Sequence, residues 1–255
     1  MLYAESFGRG PDLVMVHGWA MHGGILRSFA TRLARSFRVT LIDLPGHGNS
    51  EPVADPSAQG IVSAILERVP ERAHWLGWSL GALLSLQVIL RDPTAVRRLI
   101  LMAGTPRFVA EEGWPGVDSA VLHRFAADLD EDSVRCLNRF VGLQLSAMED
   151  ARALMKAVQE MLAERPPPRS SGLHAGLDLL NALDLRQVVA ETDVPVLAVL
   201  GQRDRLVPAS TGAALKRLNA EVEVQILDGA SHLPFLTHAE TAARHVEDFL
   251  LRDGE

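Results

Sequence analysis

Over the first hundred residues, short apolar runs rich in β-branched side chains alternate with stretches of helical periodicity. The runs at 13–16, 39–42, 73–76 and 99–102 predict strands. Their alternation with helices is the signature of βαβ units and a parallel sheet. From about 105 to 184 the strand pattern stops and apolar residues recur at helical spacing. Val134, Leu137, Val141 and Leu145 predict one helix stripe, with Asp132 or Ser133 as its N-cap. Arg165-Pro166-Pro167-Pro168-Arg169 interrupts the helical run, because proline cannot continue a helix and disfavours it in the residue before. Strand runs resume at 194–200 and 222–227, and a closing helix is predicted over about 239–251. The expected architecture is an α/β fold, a mostly parallel sheet with helices on both faces. Its core is drawn from 1–104 and 185–255, with a helical cap, or lid, inserted at 105–184.

Composition narrows the class. At 255 residues, with 47% hydrophobic and 22% charged positions, the chain suits one globular α/β domain carrying an insertion. A net charge of −7 argues against general attraction to nucleic acid or an anionic membrane, both of which need a basic face. Cys136 is the single cysteine, so no intramolecular disulfide can form and a reducing compartment is expected. The first residues lack the basic flank and apolar run of a signal peptide, and no stretch has the length of a membrane span. A soluble, cytoplasmic monomer is expected.

The candidate chemistry starts at Gly77-Trp78-Ser79-Leu80-Gly81, a G-x-S-x-G pentapeptide between a strand and a helical run. So tight a strand-to-helix reversal strains the serine backbone and needs small neighbours. It also lifts the Ser79 hydroxyl above the sheet and sets the Leu80 amide at a helix N-terminus, where it can serve as an oxyanion donor. A serine hydroxyl is a weak nucleophile at neutral pH, so it needs a base and a third group that fixes the base's tautomer. His232, in Asp228-Gly229-Ala230-Ser231-His232, and Asp204, in Gly201-Gln202-Arg203-Asp204, follow strand runs on the same sheet edge. His238 and His245 fall beside or within the last helix, His123 and His174 in the cap, and Asp193 before its strand, so position favours His232 and Asp204. The Trp19 amide, in His17-Gly18-Trp19, is the candidate second oxyanion donor. His17 is expected to orient that loop, and 43–50 to be scaffold rather than a phosphate loop. No zinc-type spacing and no dinucleotide motif is present, so no metal or cofactor is expected. Cys136 is expected to be inert packing.

Together, His17-Gly18-Trp19, Asp43-Leu44-Pro45-Gly46-His47-Gly48, the Ser79 pentapeptide and Ser231-His232 resemble the α/β-hydrolase pattern over nearly the whole chain. Glu112-Gly113-Trp114-Pro115-Gly116, Arg139-Phe140-Val141-Gly142-Leu143-Gln144 and Asp184-Leu185-Arg186 are similar to the branch of biotin-pathway esterases acting on pimeloyl-carrier methyl esters. That resemblance implies the α/β-hydrolase fold, a serine carboxylesterase, and an acyl carrier protein as the partner that delivers substrate. It also implies substrate contacts at Trp19, Ser79, Leu80, Phe140, Val141, Gly142, Leu143, Gln144 and His232, and carrier contacts at Arg135, Arg139 and Arg152.

The charges bear on the carrier. Acyl carrier proteins are acidic, as is this chain, so docking requires a local basic face. Arg135 and Arg139 lie four apart on a predicted helix, and Arg152 and Lys156 repeat the spacing; the alternative is an ordinary solvated helix face. Trp78, Leu80, Trp114, Phe140 and Leu143 could line an acyl channel or be core. Three functional readings stand: a carboxylesterase, a C–C bond hydrolase or perhydrolase using the same triad, and a non-catalytic module of the same fold. A dehalogenase is disfavoured, since it needs a carboxylate where Ser79 stands.

Overall fold

The continuous apolar runs become strands of one seven-stranded sheet in a computed structural model that describes residues 1–252. The strands are β1 (Ala4–Gly8), β2 (Asp12–Val16), β3 (Arg38–Ile42), β4 (Ala73–Trp78), β5 (Val96–Met102), β6 (Val196–Gly201) and β7 (Glu223–Leu227). Their spatial order is β1-β3-β2-β4-β5-β6-β7. β1 is antiparallel to β3, and every other pairing is parallel.

Parallel neighbours require crossovers, and helices supply them. α1 (Arg27–Leu33) links β2 to β3, α2 (Ala58–Leu66) links β3 to β4, and α3 (Leu80–Arg91) links β4 to β5. The path steps from β2 to β3 in one direction, then returns across β2 to β4 and continues the opposite way. Right-handed crossovers therefore put α1 on one face and α2 and α3 on the other. The reversal lies between β2 and β4, and open α/β sheets bind ligands outside the strand carboxyl ends at such a switch point. Trp19 follows β2 and Ser79 follows β4, so the topology brings these two loops together.

Between β5 and β6 the chain forms α4 (Ser119–Glu131), α5 (Ser133–Leu145), α6 (Ala151–Leu162) and α7 (Ser170–Ala182). Asp118 caps α4 through the Ala120 amide, and Asp132 caps α5 through the Arg135 amide. α8 (Arg186–Glu191), α9 (Thr211–Leu218), α10 (Pro234–Thr237) and α11 (Ala239–Leu250) complete the chain, with α11 packed on α1. No helix among the described residues is long and apolar enough to cross a membrane.

Four expectations are adjusted. β1 was not foreseen from Ala4-Glu5-Ser6-Phe7-Gly8, because this edge strand is short and half polar. β5 starts at Val96, three residues before the predicted run, and β4 continues through Trp78. The predicted stripe of α5 holds at Val141 and Leu145, which are buried, and at the partly buried Leu137, but fails at Val134, which is 69% exposed; Cys136, Phe140 and Gln144 join the buried face. Phe140 packs on Trp19 and Phe125, and with Cys136 one turn before it, spaced i and i+4, this sets the inward face.

Candidate active site

Only Ser79 separates the end of β4 from the start of α3, and the reversal forces it to φ 55°, ψ −115°. A side-chain-bearing residue in the left-handed region costs about 1–3 kcal/mol and persists only where the surroundings impose it. Here the surroundings are explicit. The Ser79 amide bonds the Met102 carbonyl at 3.2 Å, and its carbonyl accepts from the Ala82 amide at 2.9 Å. A Cβ at position 77 would lie 2.3 Å from the Gly81 carbonyl oxygen, and one at position 81 would lie 2.2 Å from that of Val16. Both glycines of the pentapeptide are therefore required by close backbone approach.

The Leu80 amide heads the 12-residue helix α3, at the positive end of its dipole. The His17-Gly18-Trp19 loop lies against the elbow, since a Cβ at position 18 would sit 3.2 Å from the Ser79 Cβ. Neither the Trp19 nor the Leu80 amide donates to an acceptor among the described residues. Both residues are 1% exposed. Two buried, unspent N–H donors flanking a hydroxyl are what an oxyanion needs.

His17 holds this loop. Its Nδ1 lies 2.8 Å from the Gly18 carbonyl and must donate, while its Nε2 accepts from the Leu44 amide at 2.9 Å. Burial, reinforced by nearby His47, lowers its pKa well below the usual value, so the ring is neutral and its tautomer defined. Asp43 ties the 43–50 segment in the same way. Its carboxylate accepts from the amides of Gly23 at 2.7 Å and Asn49 at 2.8 Å, which makes this segment scaffold.

On the other side of the switch point, His232 Nδ1 is 2.7 Å from Asp204 Oδ2, with both side chains at most 1% exposed. The second carboxylate oxygen, Oδ1, accepts from the amides of Leu206 at 2.8 Å and Val207 at 3.0 Å. These bonds lock the carboxylate plane and leave one oxygen for the imidazole. His232 Nε2 has no partner among the described residues. Trp78, in β4, donates its indole N–H to the His232 carbonyl at 2.9 Å, and its ring packs against Phe235 with centroids 4.8 Å apart. Trp78 is thus a support beneath the histidine loop rather than a channel wall.

The inserted helices contribute a roof. Phe140 of α5 packs edge-on to Trp19 with centroids 4.7 Å apart, and Phe125 of α4 contacts both rings at 6.1 and 5.6 Å. Gln144, one turn beyond Phe140, is 2% exposed and neither amide atom is hydrogen-bonded among the described residues. Val141 is buried, Leu143 is partly buried, and a Cβ at Gly142 would point at Met155 of α6. Trp114 lies elsewhere: it is held in the cluster of Arg107, Asp184 and Arg186, with the Arg186 guanidinium 5.5 Å from its ring. Arg135 and Arg152 are exposed and make no ion pair among the described residues. Arg139 pairs with Asp128 and lies 5.0 Å from the Phe125 ring. Burial pushes the Cys136 thiol up to about 11, which keeps it protonated and unreactive.

Sequence reasoning missed Arg165, Phe125 and the support role of Trp78. Arg165 leaves the α6–α7 connection, pairs with Asp43 at 2.5 Å and with Glu5, and stacks on Tyr3 at 5.0 Å. It fastens the inserted helices to the core beside the site. A lone arginine in a proline-rich break carries no sequence signal for this.

The family described as alpha/beta hydrolase fold matches residues 11–239. A pimeloyl-[acyl-carrier protein] methyl ester esterase from Methylococcus capsulatus (Bath) is 48% identical over 249 residues, 98% of each chain. The protein of the same name from Aliivibrio salmonicida is 35% identical, covering 100% of this chain and 97% of that one. Among solved structures, an esterase from Exiguobacterium antarcticum superposes with a TM-score of 0.88 at 22% identity, over 98% of this chain and 95% of that chain, a likeness of fold.

Proposed function

Because the chain belongs to the alpha/beta hydrolase fold family, alongside the pimeloyl-[acyl-carrier protein] methyl ester esterases, we propose that it hydrolyses the methyl ester of a carrier-bound pimeloyl group. Ser79 is the nucleophile, His232 the general base and Asp204 the group that orients it. The observation that carries this reading is the buried Asp204–His232 pair at 2.7 Å with its unpartnered Nε2, packed against Trp78, the residue that precedes the strained Ser79.

The Asp204 carboxylate can only accept, so the imidazole proton sits on Nδ1 and Nε2 carries the lone pair. Ser79 Oγ attacks the ester carbonyl as Nε2 takes its proton, and the amides of Trp19 and Leu80 stabilise the oxyanion. Nε2 then returns the proton to the departing methoxide, releasing methanol and leaving an acyl-serine. Water repeats the sequence: Nε2 removes its proton, hydroxide adds to the acyl carbonyl, and Ser79 leaves with that proton. The products are the carboxylic acid and free Ser79.

Residues 105–184 act as the cap over this centre. Phe140 and Phe125 give the acyl chain apolar walls, and the unpaired Gln144 amide offers a partner to a polar atom further along it. A dicarboxylate held as an ester at one end and a thioester at the other has such an atom. Arg135 and Arg152, with Arg139 beside them, form the face that meets the acidic carrier in the cytoplasm.

The test is a fluorophosphonate probe with mass-spectrometric site mapping, followed by methanol release from the carrier-linked methyl ester. Labelling at Ser79, lost in Ser79→Ala, together with methanol release is expected. Absence of labelling in folded protein removes the enzyme reading. Cleavage of a vinylogous diketone but not of esters replaces it with C–C hydrolysis.

A further inference from the structure

The amino ends of β4, β5 and β6, with Pro11 just before β2, frame a groove of about 790 Å³. Buried His74, Val96 and Leu250 form its floor. Exposed Arg72, Arg97 and Arg252 stand at its rim, with the half-buried Arg98. His74 is the second residue of β4, whereas Ser79 follows the carboxyl end of that strand, so about 16 Å of extended chain separates them. No residue assigned to the ester centre lines the groove.

This lining reverses the sign of the protein. The chain carries −7 overall, yet the groove gathers four arginines and one carboxylate, that of Asp193. Glu223 offsets Arg252, but Arg72, Arg97, Arg98 and Asp193 make no ion pair among the described residues. Arg98 is nevertheless held in place. Its guanidinium donates to the Arg252 carbonyl at 3.2 Å, and the two guanidinium groups lie 5.5 and 5.6 Å from the Phe249 ring. On the floor, His74 is 7% exposed, with the Phe37 ring edge-on at 6.1 Å. Neither of its ring nitrogens has a partner among the described residues; Nδ1 is buried, which leaves Nε2 as the nitrogen open to the groove. Burial, with the charges of Arg97 and Arg98, lowers its pKa to about 4, so the ring is neutral and has one proton to donate. Three guanidinium groups without counter-ions around an unsatisfied histidine are what an anion completes.

We propose that this groove binds a small polyanion of the linked-phosphate class, free or carried on a nucleoside. Its oxygens are shared among Arg72, Arg97 and Arg98, and one accepts from His74 Nε2. A single carboxylate would leave most of this charge unmet, and its two oxygens lie in one plane. A phosphate chain presents oxygens in several directions to guanidinium groups that arrive from separate strands. No phenyl, phenol or indole ring lines the groove to stack a base, so the phosphate chain is the recognised part. The volume is that of a small-molecule site, which favours a compact ligand over a nucleic acid or a protein. The inference does not depend on the ester chemistry, and its readout is binding.

Calorimetric titration of the full chain at low salt, without magnesium, tests it. Tripolyphosphate is expected to bind at least about tenfold more tightly than monophosphate, and ATP to match tripolyphosphate within about threefold. Arg72→Glu with Arg97→Glu, both at exposed positions, weakens tripolyphosphate at least about tenfold. Arg135→Glu with Arg152→Glu makes the same charge change on the inserted helices and leaves that affinity unchanged. His74→Phe removes the donor and weakens binding about fivefold; if that variant does not fold, the arginine pairs carry the test. The proposal is overturned by no binding, by equal affinities for monophosphate and tripolyphosphate, or by equal weakening in both arginine pairs. It is also overturned by much tighter binding of ATP, which would mean that a base is read. Binding that appears only when residues 253–255, two of them acidic, are removed overturns it too, since the chain's own end would then be the occupant.

Discussion

Asp204→Asn probes the tautomer logic directly. The asparagine oxygen has to occupy the Oδ1 position, because the buried amides of Leu206 and Val207 donate to it at 2.8 and 3.0 Å. The reversed amide would set N–H against two N–H groups and leave buried donors unpaired, at about 1–3 kcal/mol each. With the oxygen so fixed, the NH2 group faces His232 Nδ1, where the carboxylate now sits at 2.7 Å. Nδ1 must become the acceptor, and the ring proton moves to Nε2. The histidine then has no lone pair for the Ser79 proton. The expected loss in kcat is about 10⁴-fold, which corresponds to about 5.5 kcal/mol of transition-state stabilisation. Steady-state hydrolysis of p-nitrophenyl acetate measures it, with thermal unfolding alongside to show that the near-isosteric variant retains its fold. A loss below about tenfold in folded protein would refute the assignment of Asp204.

Other substitutions address the surrounding parts. Gly176→Val forces α7 away from Trp19, where a Cβ would approach within 2.5 Å. By disturbing one oxyanion donor it is expected to lower kcat by up to about 10²-fold, and an unchanged kcat would separate Trp19 from the reaction. Arg135→Glu with Arg152→Glu reverses two unpaired exposed charges and should lower turnover of the carrier-linked ester at least about tenfold relative to a small methyl ester. Equal loss on both substrates would contradict carrier docking there. Acid should weaken the fold through His47. Its pKa is about 4 when folded, against an ordinary 6.5, so between these values the unfolded chain holds more protons. Stability therefore falls as pH drops through that window, by up to about 3 kcal/mol from this group, and levels off below it. Urea unfolding from pH 7 to 4 measures the slope, which His47→Leu should reduce by its own share, the rest coming from His17, His22 and His74, whose pKa values burial also lowers.

Central strands were legible because parallel strands buried on both faces read as unbroken apolar runs, as in Leu13 to Val16 and Leu99 to Met102. The serine elbow was legible for a different reason: only a narrow set of residues satisfies its backbone geometry. β1 was not, since an edge strand covered on one side needs few apolar residues. The phase of α5 was partly misjudged because four apolar positions at helical spacing do not say which of two adjacent stripes faces inward. Here tertiary packing of Phe140 on Trp19 decides, and Val134 is left in solvent. The bare ring nitrogens of His47 and His232 could not be inferred, because an unmet hydrogen bond is a property of the assembled neighbourhood.

The Arg165 fastening bears on how the inserted helices could be exchanged between relatives. A single guanidinium, 8% exposed, joins them to a carboxylate on the first strand and another on the loop after β3. An insertion grafted from a chain lacking this arginine would leave the buried Asp43 carboxylate without a counter-charge beside the loop that carries Trp19, while Glu5 would keep only Arg27. A graft bringing the arginine to a recipient without those carboxylates would bury an unpaired cation. The insertion and its two anchors are thus one heritable unit, although more than a hundred residues separate them along the chain.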